Sequence, residues 1–192
     1  MNDRRRSEDE FFQINTLNRI FGNIIPLPRN GNRKEFLLCG EICDKEAYKQ
    51  KCSILEELGQ DILIPSKPSD LDCKCNDNGW LFPMTLKFQK VDGGSQNLSY
   101  LDVITTMQQA PKTNSSDKTC LVVYVGGNYY IKKRRSFSDS FRYDELPERF
   151  TIYDFLLIKA KQFNVKCKIL CDNNLPKDKA SLYDICVKGN YE

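Results

Sequence analysis

Apolar residues recur along this chain with two periods, one helical and one alternating, and each marks an element. Ser7 followed by Glu10 has the form of a capping box. Phe11, Ile14, Leu17, Ile20 and Phe21 fall on neighbouring faces of the helix it opens. Gly22 stops that helix, and Pro26 and Pro28 make the next segment extended. Phe36-Leu37-Leu38-Cys39 reads as a buried strand. Asp44 caps a helix carrying Tyr48, Cys52, Leu55 and Leu58, and Gly59 ends it. Asp61-Ile62-Leu63-Ile64-Pro65 reads as a second strand, and the three elements together predict a parallel βαβ crossover.

Residues 66–79, with Cys73-Lys74-Cys75 among them, are polar and turn-forming and are expected to be a loop. From Trp80 to Val91, Phe82, Met84, Leu86 and Phe88 alternate onto one strand face, and Pro83 argues for an edge strand. A short helix is expected from Tyr100 to Gln109, and a flexible polar loop from Pro111 to Lys118. Thr119 to Val125 is a strong strand. Gly126-Gly127 reads as a hairpin turn and Asn128 to Lys133 as its return strand. After a polar stretch over 136–148, Thr151 and Asp154 cap a helix bearing Ile152, Phe155, Leu156, Ala160 and Phe163. Strands over 165–171 and Leu182 to Val187 complete the chain.

The expected fold is therefore α/β or α+β. Residues 1–35 form a basic tip, a helix and an extended linker. Residues 36–110 form a βαβ-containing unit, and 119–192 a β-rich unit with a basic hairpin, compatible with part of an OB-type barrel.

Composition narrows the chemistry. The 192 residues include nine cysteines and no histidine, which excludes Ser-His-Asp and Cys-His catalysis and any His-ligated metal. An odd cysteine count without a signal-like N-terminus predicts free thiols, a chain that is not secreted, and unglycosylated Asn97 and Asn114. Cys167 and Cys171 share one strand face with Val165 and Ile169, so packing is their expected role. Cys39 with Cys43, Cys73 with Cys75 and Cys167 with Cys171 lack the two-residue spacing of zinc knuckles, and no metal or other cofactor is expected. No apolar run is long enough to span a membrane.

The formal net charge of +3 conceals a local excess: residues 128–168 hold ten basic and five acidic side chains. Within them, Tyr129, Tyr130, Lys132, Lys133, Arg134 and Arg135 combine rings that stack on bases with cations that neutralise phosphates. Lys166 and Lys168 extend this surface from a neighbouring strand. The alternatives are a solvated hairpin edge and a contact for an acidic protein. The run 132–135 also fits a nuclear-import signal, helped by Arg4, Arg5 and Arg6, and Ser136 and Ser138 follow it where phosphate would cancel the charge.

The segment from Phe36 to Pro65 is similar in outline to the opening unit of nucleoside deoxyribosyltransferase-like enzymes and to the start of a BRCT domain, in each case no further than Pro65. Open α/β sheets bind ligands at the carboxyl ends of their strands, so a pocket beyond Cys39-Gly40-Glu41 is a candidate, and an enzyme reading casts Glu41 or Asp44 as nucleophile or base. On the residues alone, Asp44 caps a helix and Glu41 is exposed. The sequence thus points to a non-enzymatic binding component of a nuclear nucleoprotein assembly, with nucleic acid and protein as candidate partners. The competing classes are a protein adaptor and a small enzyme acting on a nucleotide-like substrate.

Overall fold

A computed structural model describes residues 7–59, 63–90, 99–135 and 149–189. Its elements, in chain order, begin with α1 (Glu8–Phe21), β1 (Ile25–Pro26), β2 (Glu35–Leu38), β3 (Glu41–Asp44), α2 (Lys45–Glu57) and β4 (Cys73–Asp77). They continue with β5 (Trp80–Phe88), α3 (Ser99–Gln108), β6 (Leu121–Gly126), α4 (Asn128–Ile131), α5 (Ile152–Phe163) and β7 (Cys167–Cys171). A π-helical turn, Asp184–Lys188, follows.

The helices begin where side chains can take up free backbone donors. The Ser7 hydroxyl accepts from the Glu10 N–H at 3.2 Å, and the Asp44 carboxylate from the Ala47 N–H at 2.8 Å. Thr151 and Asp154 form a complete capping box, with bonds of 3.0 and 2.8 Å. The Glu10 carboxylate, by contrast, turns away from Ser7 to pair with Arg29.

Mixed α/β architecture is what these elements build. Five strands in the order β1-β4-β5-β6-β7 form one mixed sheet, and β2 and β3 form a separate hairpin. β5, β6 and β7 are parallel, so α3 and α5 are crossover helices. Every residue of β6 is buried, because the sheet is covered on both faces. Leu121, Val123 and Val125 pack with Cys167, Ile169 and Cys171 beneath α3 and α5. Val122, Tyr124, Phe82 and Met84 pack beneath Ile14 and Leu17 of α1 and Leu182 and Cys186 of the C-terminal turn.

Several expectations are corrected. Among the described residues of 36–65 no parallel crossover is present: the backbone reverses at Cys39 and Gly40, with φ of +49° and +85°, and β3 pairs antiparallel with β2. Residues 63–65 carry no regular structure, and 60–62 lie outside the described residues. The crossovers occur later, through α3 and α5.

Cys73-Lys74-Cys75 belongs to β4, not to a loop, and Asn78-Gly79 makes the two-residue turn into β5. β5 is an interior strand. Pro83 falls between the isolated bridge Leu81–Thr119 and the continuous ladder that starts at Met84–Val122, so its missing N–H coincides with a gap in the pairing. The strand expected over 182–187 is helical.

No hairpin forms at Gly126-Gly127, because β6 runs into α4, and among the described residues β6 pairs in parallel with β5 and β7 and no OB-type barrel is formed. The loop 111–118, expected to be flexible, is tied at several points, including Lys112 Nζ to the Phe163 carbonyl at 2.8 Å.

Candidate polyanion-binding surface

Burial divides the eight residues singled out from the sequence. Tyr129 and Tyr130 are in the core beneath α3 and α5, their rings edge-on at 5.0 Å. The Tyr130 hydroxyl lies 2.6 Å from Ser99 Oγ, and burial pushes its phenol well above the ordinary range. Neither ring is presented to a base, so the stacking platform expected from the sequence is replaced by a packing role. The cause is α4: a helical turn buries both adjacent tyrosines under α5 where a two-stranded ribbon would have exposed one.

Lys166 is also removed from the surface, at 4% exposure. Its ammonium donates to the Ser115 carbonyl at 2.8 Å and to the Asp117 carbonyl, and it stands 5.3 Å from the centre of the Trp80 ring. Lys166 therefore pins the 111–118 loop. Lys166→Met should lower stability by about 1–3 kcal/mol, because two carbonyls lose a charged donor. Urea denaturation reads this, and an unchanged midpoint would show that the ammonium does not hold the loop. Lys168 is half-buried on β7, opposite Val122, and stands apart from the remaining cations.

Those remaining cations gather at a neck. Arg134 and Phe150 exchange both backbone hydrogen bonds, at 2.7 and 2.9 Å, and form an isolated antiparallel bridge. This bridge stands beside the carboxyl end of β6, after α4 and before the Thr151 cap of α5. Arg134 is half-buried: its guanidinium lies 4.8 Å from the Tyr129 ring centre and donates to the Tyr129 carbonyl at 2.9 Å. Around it, Lys132, Lys133 and Arg135 are exposed, and Arg149 is exposed on the other side of the bridge. Lys133 has a long ion pair with Asp154, 3.9 Å, at an exposed position where such a pair is weak. Arg149 was missed by sequence reasoning, since it is fourteen positions from Arg135 and only the bridge brings it near. Ser136 and Ser138 lie outside the described residues.

The polar groups at the carboxyl ends of the parallel strands are bonded to one another. Asp172 accepts from the Tyr124 hydroxyl at 2.8 Å and from the Gly127 N–H at 3.0 Å, and Ser99 Oγ donates to Gln89 at 2.9 Å. Of the residues an enzyme reading would use, Asp44 caps α2 and Glu41 pairs with Lys51. Eight of the nine cysteines are buried or half-buried, Cys39 being the exposed one. Burial raises the Cys167 thiol far above its ordinary range. Among the described residues, no group of three or more His, Cys, Asp or Glu is placed to hold a metal ion, and no helix is long and apolar enough to cross a membrane.

Comparison with known protein families, curated proteins and solved structures gave no match.

Proposed function

We propose that this protein is a non-enzymatic binding component of a nuclear nucleoprotein assembly, and that it holds nucleic acid by the phosphate backbone. The observation that carries the reading is the Arg134–Phe150 bridge, which gathers Lys132, Lys133, Arg135 and Arg149 at one end of the sheet. Cations fixed on a tied neck neutralise phosphates and release counterions without reading base sequence. Base stacking on Tyr129 and Tyr130 has no part in the proposal, because both rings are in the core. The bonded state of Asp172, Gln89 and Ser99 supports binding over catalysis. The exposed run 132–135 is also what an import receptor would read.

The test is fluorescence anisotropy with labelled single-stranded DNA, duplex DNA and RNA. Wild type is compared with a variant carrying Lys132, Lys133, Arg135 and Arg149→Ala. An affinity loss of about tenfold or more for every probe is expected. No binding to any probe by folded wild type would remove the proposal.

One observation favours the second reading, an adaptor without nucleic-acid contact. Helix α1 docks on the sheet through Ile14, Leu17 and Ile20 yet leaves Phe11 and Phe12 exposed at 51% and 62%. Adjacent exposed rings of this size suit a protein partner. The anisotropy experiment separates the two readings, since the adaptor reading expects no binding to any nucleic-acid probe.

A further inference from the structure

Three of the nine cysteines gather in the α2–hairpin unit, whose small core is Phe36, Leu38, Cys43 and Tyr48. Cys43 belongs to that core, and Cys52 packs against it from α2. Cys39 sits in the two-residue turn between β2 and β3 and is exposed. From Asp44, β3 runs back about 10 Å to Glu41, and α2 runs about 12 Å to Cys52. The helix therefore returns to the level of the turn, and the ion pair between Glu41 and Lys51 joins the two there. Cys52 is thereby brought beside Cys39: of the ionisable neighbours that act on the Cys39 thiol, Cys52 acts most strongly.

Cys39 is held in a conformation that few residues adopt. Its φ is +49°, a region that a tight turn ordinarily fills with Asn or Gly. The turn is clamped at the end of α3: the Cys39 N–H donates to Gln109 Oε1 at 3.3 Å and the Gly40 N–H to the Gln109 carbonyl at 2.7 Å. A side chain kept at such a position points to a use for it. The three thiols are not equivalent. Cys43 is buried, with its sulfur against the Phe36 carbonyl at 3.8 Å. It lies three strand steps beyond Gly40, about 10 Å further on, outside the reach of a disulfide from Cys39. Cys52 is half-buried, and the Tyr48 hydroxyl beside its sulfur favours the thiolate against burial.

We propose that Cys39 and Cys52 form a reversible dithiol–disulfide switch, oxidised by a low-molecular-weight disulfide such as oxidised glutathione. The Cys39 thiolate attacks that disulfide, forms a mixed disulfide and expels one glutathione thiolate. The Cys52 thiolate then attacks the Cys39 sulfur and expels the second. Two protein thiols become one disulfide, and their two protons end on the two released glutathione molecules. Burial raises both thiols above their ordinary range, so the exchange is slow at neutral pH and quickens as pH rises. A unit built on so small a core opens readily on its own. The disulfide, by closing the 39–52 loop, suppresses that opening. Oxidation thus locks the α2–hairpin unit and reduction releases it. The switch is separate from the basic neck, and neither reading depends on the other.

The experiment equilibrates the full chain with oxidised and reduced glutathione, traps free thiols by alkylation and maps disulfides by peptide mass spectrometry. Expected is one disulfide, between Cys39 and Cys52, formed faster near pH 9 than near pH 7 and lost again in excess reduced glutathione. Cys52→Ser should stop at the mixed disulfide of Cys39 with glutathione. Cys39→Ser should slow oxidation of Cys52 about tenfold or more. Cys43→Ala should leave the Cys39–Cys52 link in place. Hydrogen exchange then reads the lock: α2 amides should exchange about tenfold or more slowly in the oxidised protein, with β6 unchanged. The proposal is overturned if no Cys39–Cys52 link forms, whether Cys39 stays free, keeps glutathione or Cys43 links instead. Equal α2 exchange in the two states would overturn it as well.

Discussion

Gly127→Ala should unfold this protein more readily than any other single methyl addition at a described glycine, with an expected loss of about 3–5 kcal/mol. At the end of β6 the backbone passes so close to the segment leaving β5 that a Cβ on residue 127 would sit 2.2 Å from the Gln89 carbonyl oxygen and 2.7 Å from its carbon. Those are backbone atoms held in the fold: Gln89 N–H donates to the Gly126 carbonyl at 3.0 Å, and Tyr129 N–H donates to the Gln89 carbonyl at 3.2 Å. They cannot move aside without breaking the join between β5 and β6. The φ of +92° at Gly127 adds conformational strain to the collision.

Gly79 is the internal control. It also has positive φ, +77°, but a Cβ there meets nothing within 4 Å. Gly79→Ala should therefore cost only about 1 kcal/mol, the strain alone. Urea denaturation of the two variants separates strain from collision. Equal losses would mean that the close approach at Gly127 is absent.

The second large effect is expected at Arg29. Its guanidinium joins α1 to the sheet by pairing with Glu10, with Asp72 at 2.8 Å and with Asp70 at 3.5 Å. Asp72 is in the core. Its other oxygen accepts the Leu86 N–H at 2.6 Å, yet burial, opposed chiefly by Arg29, still pushes its carboxyl up to about 6. Because the native value lies above the unfolded one, the contribution of Asp72 to stability is fully present below about pH 4 and is lost as pH rises through about 6.

Arg29→Met takes away the cation that holds the Asp72 value down, so the native pKa climbs further and the loss extends to higher pH. The variant should be about 3–5 kcal/mol less stable than wild type near pH 8, where a buried carboxylate has lost its Arg29 partner. Near pH 4, where Asp72 is protonated in both proteins, most of that difference should be gone. Denaturation across this range checks the prediction. A penalty independent of pH would show that Asp72 is not the group Arg29 serves.

What was legible in the sequence was what neighbouring residues decide. Ser7, Asp44 and Thr151 start the three long helices that their spacing predicts, and the unbroken apolar run 121–125 is the most buried strand. The errors share a cause, which is that strand partners lie far away in the chain. Val122 pairs with Met84 on one side and Lys168 on the other, and nothing near residue 122 encodes either choice.

Gly126-Gly127 illustrates the point most clearly. Paired glycines between apolar and aromatic residues are a fair hairpin signal, but here they permit a close backbone approach to Gln89. Once the return strand is lost, the tyrosines turn inward and the candidate site contracts to its cations. A local signal for β4 was present and passed over: Asn78-Gly79 is a strong two-residue turn, and it places Cys73 to Asp77 opposite β5. Cys39-Gly40 makes a similar turn with a residue rarely found at positive φ, and so carried no such warning.

The central claim, that the neck between α4 and α5 binds phosphates, is tested most directly by the salt dependence of nucleic-acid affinity. Log affinity against log salt should be linear for wild type. In the variant with Lys132, Lys133, Arg135 and Arg149→Ala the slope should become shallower by about 0.7–0.9 for each phosphate contact removed. A slope equal to that of wild type in the folded variant would contradict the account and place any binding elsewhere on the molecule.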